Sequence, residues 1–341
     1  MEKVSVIITL YNCAPWLERC LDSVINQTYT NLEILISDDC SKDRSLEIAK
    51  AFAERDNRIK IFEQPVNIGY LKQYNFLLQQ ATGTYIVNQD ADDWAAPQKI
   101  ERQVAMFASH SEIQVCGTGS IFHYPKQQQV VALKKQDYLF RGATMDYHWH
   151  PASIMIKRSV LQLVPGMREW FEFGTSMDRY FITEILDKGF GYYLNEPLYN
   201  VGVRANSHHK VFSEKKVITA TLCDELIRQR AKTGNDWLIE GNFEAMNNFA
   251  TNILSNKKLL SEIYRETAVF DIEFENLQAA FLNLKNSLGL SINVLNLRTA
   301  LFFARVYTRV IIKPQVKEIL SGEYFNGRYR QAGELALNGK M

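Results

Sequence analysis

The sequence lacks three features: a large excess of charge of one sign, closely spaced cysteines and long apolar runs. Its 341 residues carry a net charge of only +1, whereas a dedicated nucleic-acid binder usually has a strong basic excess. No uninterrupted apolar stretch approaches the roughly 18 residues that a membrane-spanning helix needs. We therefore expect neither a nucleic-acid partner nor a membrane span.

The five cysteines are scattered and make neither a CxxC pair nor a cysteine–histidine group with zinc spacing. An odd, scattered set is typical of reduced thiols inside a cell rather than of a disulfide framework. The N-terminal residues also lack the charged, apolar and cleavage regions of a signal peptide. These features predict a cytoplasmic protein.

A glycine-rich loop is missing as well. The stretch after the first predicted strand reads Tyr11-Asn12-Cys13, where a dinucleotide-binding enzyme would carry GxGxxG. This absence argues against a dehydrogenase, although Asp38 and Asp39 end the second strand where a ribose-binding carboxylate would lie. A nucleotidyltransferase would usually carry a glycine-rich phosphate loop at this point too, and is kept as an alternative.

Short β-rich runs alternate with amphipathic helical patterns along the first two hundred residues. The predicted strands are 4–8, 32–36, 59–62, 85–87, 115–117, 150–158 and 191–194. The predicted helices are 16–25, 43–53, 71–80, 97–107 and 179–186, and the polar residues 123–136 form a loop or hairpin. This alternation predicts βαβ units, and hence an α/β fold with a mostly parallel sheet flanked by helices.

Polar residues follow three of these strands, at 9–12, 37–41 and 88–94, and the carboxyl ends of parallel strands meet in one crevice. Asp90 and Asp92 are two residues apart, so on an extended backbone both carboxylates point the same way and can share one cation. Carboxylate oxygens suit Mg²⁺ or Mn²⁺. Alternatively, the cluster is a solvated turn, with Asp93 and Pro97 opening the next helix.

In order and spacing, these motifs resemble family 2 glycosyltransferases of the GT-A fold over residues 4 to about 210. The matching stretches are Val4–Asn12, Leu21–Thr28, Glu33–Ser41, Asp43, Asn67-x-Gly69, Ala81–Gly83 and Asp90–Asp93. The resemblance implies a Rossmann-like sheet and an inverting, metal-dependent enzyme that transfers a hexosyl or N-acetylhexosaminyl group from a UDP-sugar, with Mn²⁺ or Mg²⁺. It also implies a glycan or lipid-linked acceptor hydroxyl and a role in bacterial polysaccharide, capsule or lipopolysaccharide synthesis.

Beyond about residue 212 the pattern changes to long helical periodicity with few glycines or prolines. We predict a GT-A catalytic domain over residues 1–212 and a helical C-terminal region over residues 213–341. By the resemblance, the catalytic domain divides into a nucleotide-sugar half at about 1–95 and an acceptor half at about 96–212.

The resemblance implies that Thr9 and Tyr11 hold the nucleotide base, Tyr11 by stacking on its face. Asp39 would accept a hydrogen bond from the base imide, with Asp38 supporting that turn. Asn67 would belong to the same nucleotide-sugar site. From the residues alone, Tyr11 is an ordinary half-buried tyrosine at a strand end.

The resemblance also assigns the catalytic carboxylates. Asp92 would be the direct metal ligand, and Asp90 would contact the ribose or the metal shell. Asp178 occupies the position of the general base just before a helix, although Met177 replaces the glutamate that usually precedes it. A carboxylate there can take a proton from an acceptor hydroxyl, and the helix N-terminus favours its ionised form. The alternative for Asp178 is a plain helix cap.

Two stretches depart from the family pattern where the donor diphosphate would bind. Many relatives have an arginine after Asn-x-Gly, whereas this chain has Tyr74 with Lys72 nearby. Lys72 either supplies the missing charge or lies on a solvated helix face. Relatives often carry Arg-x-His later in the chain, where Arg204 stands here. Arg204 clamps the diphosphate bidentately, or one of the later residues His208 and His209 reaches the metal. The alternative to both is a loop whose charges stay solvated. Together, Met177 and Arg204 leave a catalytically inactive sugar-nucleotide binding module as an alternative.

Trp149 and His150 precede a strand that faces the acceptor in the family. Trp149 would stack on a sugar ring with His150 beside it, and a structural aromatic residue is an equal alternative. A zinc site at His148 and His150 is not expected, because no further ligand has suitable spacing.

Residues 291–313 combine helical apolar spacing (Val294, Leu297, Leu301, Ala304) with three arginines on another face (Arg298, Arg305, Arg309). A basic amphipathic helix can lie on the anionic inner face of a membrane, which would suit a lipid-linked acceptor. Packing on the catalytic domain, or on the partner in a homodimer, is the alternative that the sequence favours.

Overall fold

The computed structural model describes residues 1–124, 129–142, 149–171, 176–203, 214–273 and 277–307. Within them the chain divides into two compact units, the first ending at Asn256 and the second beginning at Lys257. No helix in these ranges combines the length and the apolar character that crossing a membrane requires.

The described part of the first unit contains ten strands and seven helices. Strands β1 to β10 lie at Val4–Leu10, Leu32–Asp38, Ile59–Glu63, Tyr85–Asn88, Trp94–Ala95, Ile113–His123, Gln129–Ala132, Tyr138–Arg141, Met155–Lys157 and Phe190–Gly202. Helices α1 to α7 lie at Ala14–Ile25, Ser45–Arg55, Tyr70–Gln80, Lys99–Ser109, Met177–Lys188, Glu214–Thr233 and Phe243–Ser255. The second unit adds α8 to α10, at Lys257–Glu273, Leu277–Leu290 and Val294–Tyr307.

All ten strands belong to one sheet, in the order β3-β2-β1-β4-β9-β6-β10-β5, with β7 beside β6 and β8 beside β10. The strands β3, β2, β1 and β4 are mutually parallel. In the other half, β6 and β10 are parallel, whereas β9 runs antiparallel to both β4 and β6. The predicted α/β fold with flanking helices and a helical extension is confirmed, with a sheet that is parallel in its first half and mixed in its second.

The central strand β1 is buried on both faces, which is why its sequence reads as a continuous apolar run. Val6 and Ile8 belong to the core cluster that α1, α2 and α4 cover. Ile7 points into the other cluster, which α3 and α5 cover together with Leu222 of α6 and Met246 of α7. The unit that contains the sheet therefore extends past residue 212, where the helical pattern begins.

The buried side chain of Glu33 ties the beginnings of β1 and β2 to the turn before β4. Its carboxylate accepts from Lys3 Nζ at 2.8 Å, from Ser5 Oγ at 2.6 Å, and from both the N–H and the hydroxyl of Thr82 at 2.8 Å. Burial alone would raise the pKa of Glu33, but these hydrogen bonds outweigh it and lower the pKa to about 2.

Replacing Glu33 by glutamine is expected to lower the free energy of unfolding by about 1–3 kcal/mol near neutral pH, because an amide cannot accept from all four donors. The folded-state pKa of about 2 lies below the ordinary value of 4.5. The stabilisation by Glu33 is therefore complete at pH values above its ordinary pKa, and it is lost as the pH falls towards the pKa of the folded state. Urea unfolding at several pH values measures it.

The difference in unfolding free energy between wild type and Glu33→Gln should shrink as the medium is acidified. Glu63→Gln is the control, since Glu63 forms only an exposed ion pair with Lys50 at 2.7 Å and exposed pairs contribute little. A difference that does not change with pH would contradict the expected linkage.

The second unit is a group of three helices, α8, α9 and α10. Ala280 of α9 is buried, and Phe302 and Phe303 of α10 pack against it. A buried polar contact also joins the helices, because Asn296 Nδ2 donates to Ser261 Oγ at 2.9 Å.

Candidate active site

The carboxyl ends of β1, β2 and β4 lie side by side, so the three polar stretches at these ends are neighbours. In the parallel ladders, Leu10 lies beside Asp38 and Ile7 lies beside Asn88. The pairing continues past the strands, since the N–H of Asp39 donates to the carbonyl of Leu10 at 2.8 Å. Open α/β sheets bind their ligands at this edge.

The loops after β1 and β2 are joined by hydrogen bonds between side chains and backbone. Asn12, at φ 51°, accepts from the N–H of Lys42 at 2.8 Å and donates its own N–H to Ser41 Oγ at 3.1 Å. Asp43 Oδ2 accepts at 3.0 Å from the N–H of Ala14, which as the first residue of α1 has no intrahelical partner. The two loops therefore form one connected rim.

Asp39 is buried and shapes this rim from below. Its two carboxylate oxygens accept from the N–H groups of Ile68 at 2.7 Å and Gly69 at 2.9 Å. Gly69 has φ 83°, a conformation that favours glycine. Asn67 donates its side-chain amide to the backbone carbonyl of Asp39 at 3.3 Å. Residues 67–69 of the Asn67-x-Gly69 motif thus form the hydrogen bonds that hold Asp39. Each carboxylate oxygen of Asp39 can still accept a second hydrogen bond.

The other residues predicted to hold a nucleotide lie at the same rim. Asp38 is buried, and its Oδ2 accepts from the N–H of Ser41 at 3.1 Å. Its Oδ1 has no hydrogen-bond partner within the described ranges. Thr9 is half-buried, and Tyr11 is 46% exposed. The Tyr11 ring is therefore accessible to a planar ligand.

Asp90, Asp92 and Asp93 form an acidic cluster directly after β4. One carboxylate oxygen from each lies within 4.8 Å of the others. Asp93 is buried, and its Oδ1 accepts from the N–H of Gly202 of β10 at 2.8 Å. Burial, and then the charge of Asp90, raise the pKa of Asp93 to about 8. Carboxyl groups that oppose each other's ionisation at this distance fit a divalent cation, whose charge would remove the repulsion.

Two buried residues beneath the cluster were not predicted from the sequence. The hydroxyl of Tyr199 accepts from the N–H of Asp90 at 3.2 Å. Lys99 is fully buried, with Nζ 4.8 Å from the centre of the Tyr199 ring and 3.5 Å from the last carbonyl of β4. Burial lowers the pKa of Lys99 to about 7, although the negative charges of Asp90 and Asp93 act to raise it. A signal was available, because Lys99, Gln103 and Phe107 recur every four residues on the buried face of α4.

Helix α5 carries Asp178, the predicted general base. Asp178 is half-buried in the first turn of α5, and its Oδ1 accepts from the N–H of Arg179 at 2.7 Å. One turn later, Phe181 packs edge-on against Tyr74 of α3, with ring centres 6.1 Å apart. Burial first, and then the charges of Asp90 and Asp178, raise the pKa of the Tyr74 hydroxyl. Asp90 and Asp178 thus both belong to the electrostatic surroundings of the Tyr74 hydroxyl.

Buried ion pairs hold α5 against α6. Arg230 of α6 donates to Asp187 of α5 at 2.6 Å and to Asp236 at 2.9 Å. The hydroxyl of Tyr180, in the first turn of α5, donates to Asp236 at 2.8 Å. Helices beyond residue 212 therefore fix the position of the segment that carries Asp178.

The remaining predicted contact residues differ in their surroundings. Lys72 is exposed on α3. Trp149 is buried in the core that α3 and α5 cover, which supports the structural alternative for this residue. His150 stacks on Tyr199 with ring centres 5.7 Å apart. Because the Tyr199 hydroxyl contacts Asp90, Tyr199 links His150 to the acidic cluster. Arg204 lies outside the described residues.

Comparison with known proteins identifies relatives of this chain. Its residues 5–161 match the family described as "Glycosyl transferase family 2". It is 32% identical over 205 residues to a putative glycosyltransferase EpsE of Bacillus subtilis (strain 168), across 58% of this chain and 72% of the relative. An uncharacterized glycosyltransferase of Haemophilus influenzae is 33% identical over 141 residues, 41% of this chain and 56% of that protein.

Two solved structures resemble the chain at low sequence identity. TarS 1–349 of S. aureus gives a TM-score of 0.57 at 15% identity, covering 84% of this chain and 90% of that one. The mannosyltransferase PcManGT of Pyrobaculum calidifontis gives 0.52 at 17% identity, covering 92% and 81%. At these identities the likeness concerns the fold, and the predicted GT-A fold is confirmed. Since the fold, the strand-end motifs and a relative matched over most of its length agree, the chain belongs to glycosyl transferase family 2.

Proposed function

We propose that the chain transfers a hexosyl or N-acetylhexosaminyl group from a UDP-sugar to an acceptor hydroxyl, with inversion at the anomeric carbon. The observation that carries the proposal is the acidic cluster at the carboxyl edge of the sheet, and Asp178 in the first turn of α5 is proposed to complete the site. A cation site for the leaving diphosphate and a carboxylate base for the acceptor are the two elements that such a transfer uses.

The rim after β1 and β2 offers what a nucleoside needs. Tyr11 presents an exposed ring on which a base can stack, and Asp39 has acceptor positions left for an imide N–H. Thr9 lies on the same rim, while Asp38 and Asn67 support it. Uridine is favoured because structures of TarS contain UDP and UDP-GlcNAc. PcManGT was solved with GDP-Man and Mn²⁺, which makes guanosine the competing base.

Asp92 and Asp90 are proposed to hold Mn²⁺ or Mg²⁺, because the family resemblance assigns the metal to them and each offers one carboxylate oxygen to the acidic cluster. When bound, the cation would neutralise the negative charge that develops on the leaving diphosphate. Lys72 and Arg204 are proposed to add positive charge on the diphosphate side of the site.

Asp178 is proposed to take the proton of the acceptor hydroxyl as its oxygen attacks the anomeric carbon. The new carbon–oxygen bond forms on the face opposite the diphosphate. The bond from the anomeric carbon to the diphosphate oxygen breaks, and UDP leaves with that electron pair. A single displacement of this kind inverts the anomeric configuration. Met177 removes the usual neighbouring carboxylate but leaves Asp178 in the first turn of α5, where the helix dipole favours its ionised form.

The acceptor is proposed to be a glycan or a lipid-linked sugar in bacterial surface polysaccharide synthesis, a setting that rests on the family resemblance. Among the described residues, His150 is the proposed acceptor contact, because it stacks on the tyrosine that supports Asp90. Trp149 is not proposed for this role, since its ring is buried.

A panel of donors tests the proposal. The chain is incubated with UDP-glucose, UDP-galactose, their N-acetylhexosamine counterparts and GDP-mannose, in Mn²⁺, Mg²⁺ or EDTA, and the released nucleoside diphosphate is measured. We expect UDP release from one of the UDP-sugars, dependent on the metal. Nucleotide binding without turnover, even with glycan acceptors, would favour the inactive binding module that Met177 suggests. Failure to bind any nucleotide would contradict the proposal.

A further inference from the structure

The second unit exposes large apolar side chains on α9, on α10 and in the turn between them. Six of them are at least half exposed, and we call this set the apolar surface: Phe281, Leu282, Ile292, Leu295, Leu297 and Leu301. Their exposed fractions range from 50% for Leu297 to 76% for Ile292. Soluble proteins rarely leave so many large apolar side chains together in water, and such patches mark interaction sites.

The apolar surface extends over two adjacent helices. Leu297 and Leu301 are four residues apart on α10 and therefore share a face. Phe281 of α9 lies beside α10, with its ring centre 6.2 Å from that of Phe303. The core of the unit uses other positions, since Ala280 is fully buried.

The charged residues of α9 and α10 all have the same sign. Residues 277–307 contain Lys285, Arg298 and Arg305 and neither aspartate nor glutamate. Lys285 is exposed four residues after Phe281, and Arg298 is exposed directly after Leu297. Helix α8 differs, because it carries acidic as well as basic residues. A partner that is both apolar and anionic therefore complements α9 and α10.

We propose that α9 and α10 dock the chain onto an anionic lipid bilayer. The leucine, isoleucine and phenylalanine side chains enter the boundary between headgroups and acyl chains, and the cations stay with the headgroup phosphates. The sequence alone favoured packing of this helix, and the exposure of Leu297 and Leu301 supports the membrane alternative. This docking goes beyond the proposed transfer reaction and does not depend on it.

A second copy of the chain fits this surface less well. A two-fold interface places the same surface on both partners. Here it would bring cations against cations, with no acidic residue in 277–307 to pair with them. A bilayer with anionic headgroups instead supplies the missing negative charge and the apolar environment together.

Sedimentation of the full chain with lipid vesicles tests the proposal. Each basic side chain near an anionic surface strengthens binding about fivefold, so the exposed Lys285 and Arg298 together give a preference on the order of 30-fold. We expect sedimentation with phosphatidylcholine vesicles that contain about one third phosphatidylglycerol, much weaker binding to pure phosphatidylcholine, and release at high salt. A wild-type chain that stays in the supernatant with the anionic vesicles overturns the proposal.

Variants locate the contact. The double variant Leu297→Ser, Leu301→Ser is expected to bind the anionic vesicles at least about tenfold more weakly. Leu163→Ser is the matched control, because Leu163 and Leu301 are both 64% exposed and Leu163 lies in the first unit. It should bind like wild type. Release of UDP in solution should be unchanged in the double variant, which separates this proposal from the proposed function.

Two results would overturn the assignment of the surface. One is vesicle binding that the double variant retains in full. The other is a dimer, measured by analytical ultracentrifugation, that the double variant loses while its vesicle binding is unchanged. In that case a second copy of the chain occupies the apolar surface.

Discussion

An Asp178→Asn variant is expected to lose about 100- to 10,000-fold in the turnover number for sugar transfer, while its affinity for UDP stays close to that of wild type. The amide cannot take a proton from the acceptor hydroxyl, whereas a carboxylate can. Asparagine keeps Oδ1, the atom through which Asp178 accepts from the N–H of Arg179 at 2.7 Å. Steady-state kinetics at saturating donor and acceptor, with calorimetry for UDP, measures both quantities.

Two further variants make this experiment specific. Asp178→Glu keeps a carboxylate but displaces it along the side chain, so its turnover number should lie between those of wild type and Asp178→Asn. Asp22→Asn removes an exposed carboxylate from α1 and should leave turnover unchanged. A turnover number for Asp178→Asn within about threefold of wild type would rule out the general-base role, since such a base contributes far more. A parallel loss of UDP affinity would assign Asp178 to the donor site instead.

The position of the polar residues at the carboxyl ends of β1, β2 and β4 could be predicted because its determinants are local in the sequence. The apolar run 4–8 predicts a buried strand, and β1 indeed spans Val4–Leu10. The acidic residues come directly after β4, and parallel strands bring the loops at their carboxyl ends to one edge of the sheet. Neither step requires knowledge of contacts between distant residues, so Asp39 and Asp90 could be placed at the same crevice from the sequence.

The supporting contacts could not be predicted, because they join residues far apart in the chain. Tyr199 reaches the N–H of Asp90 from β10, a strand that the sequence pattern ends at Leu194. Pro197 lies within β10, where the ladder with β6 shifts its register, and a proline inside a strand argues against predicting one. Likewise, Arg230 holds α5 from beyond the change in pattern at residue 212. The charges of a sequence and the periodicity of its apolar residues do not by themselves identify such partners.

An Asp92→Ala variant is expected to lose metal-stimulated UDP release by roughly 100- to 10,000-fold. A bound cation stabilises the leaving diphosphate by several kcal/mol, and each 1.4 kcal/mol or so is a factor of ten in rate. Asp92 is only half-buried, so alanine should leave the fold intact. Titration with Mn²⁺, followed by calorimetry or by the electron paramagnetic resonance of the free ion, measures metal affinity independently of activity.

Asp93→Asn distinguishes a metal ligand from its support within the same cluster. Asparagine keeps Oδ1 as an acceptor for the N–H of Gly202, and it removes the charge repulsion with Asp90 that helps to raise the pKa of Asp93. We expect its Mn²⁺ affinity to fall only about 10- to 100-fold, as for residues that orient a ligand. If instead Asp93→Asn weakens Mn²⁺ more than Asp92→Ala does, the cation is held by Asp90 and Asp93. In that case the two-residue spacing of Asp90 and Asp92 is a feature of the turn after β4 and does not indicate that both residues bind the metal.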